Sequence, residues 1–147
     1  MHDDELLEKF EDTSLPITSF RHEEHVRVAY LYLRRYPLLD VLARFPANLK
    51  KFAAHHGQAS LYHQTITWAH LFLIHERLVA DHGGASTTWE QFKQLNSDLL
   101  DRKDSILAKY YRKETLASPA AREHFVMPDR LASNESPVHA AFISDEA

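Results

Sequence analysis

The chain has 147 residues, 44% of them apolar and 26% charged, with a formal net charge of −4 and no cysteine. That is the composition of one globular domain large enough to bury a core. It gives no electrostatic reason for nucleic-acid binding, and it excludes disulfides, thiolate zinc sites, iron–sulfur clusters and cysteine nucleophiles.

Glycine occurs three times, at Gly57, Gly83 and Gly84, each where a helix is expected to end. Such scarcity argues against a β-rich fold and rules out a glycine-rich phosphate loop. The acidic start Met1-His2-Asp3-Asp4-Glu5 lacks the order of a signal peptide. The apolar stretch from Ile66 to Ile74 is too short to span a bilayer. A cytoplasmic protein with no membrane partner is therefore expected.

Residues 1–17 read as a charged arm, with a short helical piece between Glu5 and Glu11. Ser19 is a plausible N-cap for a helix running to Tyr36, where Pro37 ends it. At about 100° per residue, His22, His25, Val26, Ala29, Tyr32, Leu33 and Tyr36 share one face of that helix. Leu42, Phe45, Leu49, Phe52 and His56 then form a second stripe. Pro46 kinks that helix or starts a new one, and Gly57 falls at a left-handed C-cap. A third helix, Leu61 to His82, is apolar around most of its circumference and should be central. His63, Thr67, His70 and Ile74 lie along one of its stripes.

Thr87-Thr88-Trp89-Glu90 has capping-box spacing and opens a helix with Trp89, Phe92 and Leu95 inward. Short helical pieces follow at Asp98–Asp101 and Asp104–Tyr111. Ser118-Pro119 caps a helix reaching Phe125. The tail from Arg130 is small, polar and acidic, and is expected to be poorly ordered. The organisation predicted is an all-α bundle of four to five main helices: an arm at 1–17, one domain at 18–129 and a tail at 130–147.

The histidines carry the chemistry. His22 and His25, three apart on an inward face, can occupy two positions of one metal ion. His22 falls in the first helical turn, where the dipole favours the neutral, metal-binding ring. A third ligand must come from another segment, and His63 is placed for it. Three imidazoles would leave a coordination position open on zinc, iron, nickel or copper, the catalytic arrangement. His70, Tyr62 and Thr67 are acid–base or supporting candidates beside that position. His56 reaches toward the same space. His55, His75, His82, His124 and His139 have no inward stripe and read as surface residues. No serine sits in a nucleophile elbow, and the pairs that build di-iron carboxylate sites are missing.

Phe20 to Leu33, Phe52-Ala53-Ala54-His55-His56-Gly57 and Tyr62-His63-Gln64-Thr65-Ile66-Thr67 together resemble a family of small uncharacterised bacterial helical proteins. The likeness runs from Phe20 to Asp129; it implies a helical fold and supplies no activity. The chain is also similar, in fold class and ligand type, to the DinB-like metal-binding bundles, which use three histidines from different helices. The reading that follows is a metal-dependent enzyme acting on a small-molecule substrate, with self-association left open. The rivals are a non-catalytic helical interaction module with structural histidines, and a metal- or haem-binding carrier or sensor.

Overall fold

The computed structural model describes residues 1–81, 88–130 and 140–143. The fold is all-α. The helices are α1 (Asp3–Glu11), α2 (His22–Arg35), α3 (Leu38–His55), α4 (Gln64–Ala80), α5 (Trp89–Leu95), α6 (Lys113–Leu116) and α7 (Pro119–Glu123). Short 3₁₀ turns at Ile17–Ser19, Ala59–Leu61, Ser97–Leu100 and Ile106–Lys109 link them.

The N-terminal segment is a packed helix rather than an arm. Leu6, Leu7 and Phe10 of α1 are buried against α2 and α3. Acidic residues Asp3, Asp4 and Glu5 sit at its positive end, which favours them there. Arg27 and Arg35 of α2 then pair with Asp3 and Asp4. Its sequence hid this role, because only three apolar residues stand among six acids and bases.

Helix α2 starts at His22, three residues after the expected cap. Ile17–Ser19 forms a 3₁₀ turn instead, and the Glu24 carboxylate accepts the Arg21 backbone N–H at 2.9 Å. Its burial is wider than one face: Val28, Tyr30 and Leu31 are as buried as Val26, Ala29 and Tyr32. The cause is that α1, α3, α4 and the 97–100 turn all pack on it.

Helix α3 continues through Pro46 without a break. A proline there has no N–H for the Leu42 carbonyl one turn earlier, and an unpaired buried carbonyl is costly. The Trp68 indole of α4 fills the gap, donating to Leu42 O at 3.1 Å. One interaction thus repairs α3 and fixes α4 against it. Gly57 closes the end of α3 at φ +71°, with Gln58 N–H donating back to Ala53 O at 2.7 Å. This is the left-handed cap the sequence predicted.

Helix α4 is central, touching α2, α3 and α7. Thr88 caps α5 as a capping box with Gln91; Trp89 and Phe92 are buried, whereas Leu95 faces outward. Ser118 caps α7, with Pro119 in its first turn, and the helix stops at Glu123. The Thr65 hydroxyl donates to His124 O at 2.7 Å and accepts Val126 N–H at 3.0 Å, pinning the last segment to α4. Gly83, Gly84, His82, His139 and most of the tail expected to be disordered lie outside the described residues. No helix among the described residues is long and apolar enough to cross a membrane.

Candidate functional site

Helices α2 and α4 face each other through their histidines. His22, His25 and His70 line a cavity of about 120 Å³ together with Val26, Ala29, Phe45, Leu49, Ile66, Thr67, Leu71 and Ile74. His22 lies 5.5 Å from His70 and 6.4 Å from His25, centroid to centroid. A larger pocket of about 830 Å³ shares His22, His25, Leu49, Ile66 and Thr67 with that cavity. It extends past Phe20, Phe52, Tyr62 and His63 to a mouth bearing Arg21, Glu23 and Arg102.

Each ring is held by a carbonyl, and that fixes its tautomer. His22 Nε2–H donates to Leu99 O at 3.0 Å, and His25 Nε2–H to Phe20 O at 3.1 Å. His70 Nδ1–H donates to Ile66 O, one turn back on α4, at 2.9 Å. A carbonyl oxygen only accepts, so the bonded nitrogen carries the proton. In the neutral ring the lone pair then belongs to His22 Nδ1, His25 Nδ1 and His70 Nε2. No second hydrogen bond engages these three rings among the described residues.

Burial keeps two of the rings neutral. It pushes His25 down to about 4, with the nearby His22 ring acting in the same direction. His70 is also lowered to about 4, mainly by burial. The bond to a carbonyl opposes the shift in both cases without overcoming it. Phe20 packs its ring 4.1 Å from that of His25, shielding it from solvent.

His63 does a different job. It stands at the N-cap of α4, one residue before the helix, and its Nδ1 accepts the Ile66 backbone N–H at 3.1 Å. Its Nε2–H donates to Leu116 O at 2.7 Å. Both nitrogens are therefore engaged, and the ring ties the start of α4 to the end of α6. The spacing that suggested a ligand in a first turn is equally the spacing of a cap.

Thr67 donates its hydroxyl to His63 O at 2.7 Å and lines both cavities. Tyr62 donates to Gln64 Oε1 at 2.9 Å, and burial raises its phenol above the usual range. His70 thus lines the small cavity, Tyr62 and His63 line the large pocket, and Thr67, His22 and His25 line both. His56 lies outside the residues that line either pocket, its ring 4.4 Å from that of Phe52 and tilted to it, with its Nε2 buried and unpartnered among the described residues. His55 and His124 are exposed; His75 is half-buried. Sequence reasoning missed Arg21, Arg102 and the Leu99 carbonyl. Arg102 sits in the polar turn Asp101-Arg102-Lys103-Asp104, which carries no periodicity, and a carbonyl partner is set by the chain path alone.

Among the described residues no group of three or more His, Asp or Glu side chains is arranged as a ready metal-binding set. No protein-family model matches the chain, and comparison with curated proteins and with solved structures gives no match.

Proposed function

We propose that the protein is a metal-dependent enzyme acting on a small molecule, with a divalent transition metal held by His22, His25 and His70 at the inner end of the pocket. The observation that carries the reading is that three imidazoles from two helices line one cavity. Each spends its N–H on a carbonyl, the arrangement typical of metal-ligating histidines, whose outer nitrogen is anchored by an acceptor. The ligand set differs from that expected from the sequence: His70 replaces His63, whose two nitrogens are engaged.

Nitrogen–metal bonds of about 2.0–2.1 Å bring donor atoms within about 4 Å of one another. Ligation would thus require the three rings to turn inward. Three imidazoles would leave a position open for water or substrate, and zinc, iron, nickel or copper would supply Lewis acidity or an activated water there. Thr67 and Tyr62 would supply the polar contacts of the pocket, and the apolar wall its shape.

The test is a titration of untagged, chelator-stripped protein with Co²⁺, followed by visible absorption. One ion per chain is expected, with binding abolished in His25→Ala and His70→Ala and retained in His63→Ala. No stoichiometric binding, or equal binding in the His25 and His70 variants, would rule the site out. A second reading has its own support: four imidazoles each bridge to a carbonyl, which suits a non-catalytic helical module. It predicts that Co²⁺ leaves the melting temperature unchanged and that each histidine variant only lowers it.

A further inference from the structure

The mouth of the large pocket has a charge arrangement that the histidines do not explain. Three charged residues line it, Arg21, Glu23 and Arg102. Glu23 has a partner of its own in Lys93, at 3.4 Å. Neither Arg21 nor Arg102 has a hydrogen-bond or ion-pair partner for its guanidinium among the described residues. Elsewhere Arg27, Arg35 and Arg77 each reach an aspartate. An acidic chain thus leaves two guanidiniums uncommitted at one opening.

The two are brought to one place by the fold. Arg21 directly precedes His22, and Arg102 stands three residues beyond Leu99, whose carbonyl holds the His22 ring. The turn bearing Arg102 is fixed by Asp101, whose Oδ1 accepts both Lys103 N–H and Asp104 N–H. Arg102 is near enough to His25 for its charge to oppose protonation of that ring. The apolar part of the same lining is Ile17, Phe20, Leu49, Phe52 and Leu61, beside the polar Gln58, Tyr62 and Thr67. Leu61 is 64% exposed at the rim.

We infer that the molecule taken into this pocket is an amphiphilic organic anion, whose carboxylate or phosphate is held by Arg21 and Arg102 while its apolar body lies against Phe20, Leu49 and Phe52. The inference rests on the reading that this pocket is the substrate site, and it holds with or without a bound metal. Guanidinium groups match carboxylate and phosphate oxygens in a bidentate geometry. A pocket of several hundred cubic ångströms suits a body of one or two rings.

The experiment uses a matched pair of fluorescent probes in the presence of chelator: 8-anilinonaphthalene-1-sulfonate and its neutral parent N-phenyl-1-naphthylamine. Wild type should bind the sulfonate roughly tenfold more tightly than the neutral probe. Arg21→Gln with Arg102→Gln should remove that preference while leaving neutral-probe affinity and the melting temperature unchanged. Octanoate and octyl phosphate, added as competitors, separate the two headgroups, and displacement by either supports the inference. It is overturned if neither displaces the sulfonate, if wild type shows no preference for it, or if the double variant keeps the preference or loses both probes together. Failure of the metal reading would instead appear as absent Co²⁺ binding with the anion preference intact.

Discussion

Helix α2 faces two very different environments. Toward α1 and α3 it meets a junction filled with rings: Phe10 lies 5.1 Å from Phe20, 5.5 Å from Phe52, 6.0 Å from Phe45 and 6.4 Å from Tyr32. Toward α4 it meets imidazoles around a cavity of about 120 Å³. The first region is close-packed, and its polar edge is closed: Tyr32 donates to Glu11, and Asn48 donates to the same hydroxyl at 2.8 Å. One flank of α2 is thus filled with aromatic rings, and the other borders a cavity lined by histidines.

The sharpest way to break that contrast is to empty the filled side. Phe10→Ala removes a fully buried ring and should cost about 3–5 kcal/mol in denaturant unfolding. The Co²⁺ response of whatever folded protein remains should be unchanged. A loss near zero would mean that the aromatic junction is not the stability centre.

Acid acts on the open side. His25 and His70 take up protons in the unfolded chain near their ordinary value of 6.5, but in the folded protein only near 4. Their contribution is therefore complete above pH 6.5 and is lost as pH falls from 6.5 toward 4. With each pH unit of difference worth about 1.4 kcal/mol, roughly 3 kcal/mol is at stake for each ring between pH 7 and pH 4. Unfolding free energies measured between pH 7 and pH 4 should show this fall, and His70→Gln should flatten its share of it. A flat profile in the wild type would mean that the rings are solvated.

Trp68→Phe probes the seam between the two sides. It leaves the Leu42 carbonyl opposite Pro46 without its donor, at about 1–3 kcal/mol. Adding Pro46→Ala should recover part of that loss, because the backbone N–H returns; a double-mutant cycle measures the coupling. Smallest is Arg77→Ala, which removes partly exposed bonds from α4 to Asn96 and Asp98. It should cost about 0.2–1 kcal/mol, shrinking in high salt, by thermal unfolding.

What the sequence carried, and what it did not, follows the same division. The stripes Leu42–Phe45–Leu49–Phe52 and His22–His25–Ala29 predict helices at 3.6-residue periodicity because burial is a property of one element's face. His22, His25 and His70 were legible as inward groups for the same reason. The role of His63 was not, since a cap and a ligand need the same side chain at a helix start, and only the position of Ile66 N–H and Leu116 O separates them. A helical piece at Glu5 to Glu11 was legible, but the packing of α1 was not, because its three core residues are outnumbered by charges. Arg102 escaped because a turn residue acquires meaning from what stands across from it.

The bonds that complete the pocket are also the long ones. His22 to Leu99 spans 77 positions of chain, Thr65 to His124 spans 59, and His63 to Leu116 spans 53. Helices α2, α3 and α4 follow one another directly, so their mutual packing needs only short loop closures, which form early and fast. The residues between 97 and 126 leave the ribosome after those three helices. In time, then, this molecule is a scaffold first: the packing of α2, α3 and α4 can be standing before the segment that holds His22, carries Arg102 and anchors the start of α4 has been synthesised.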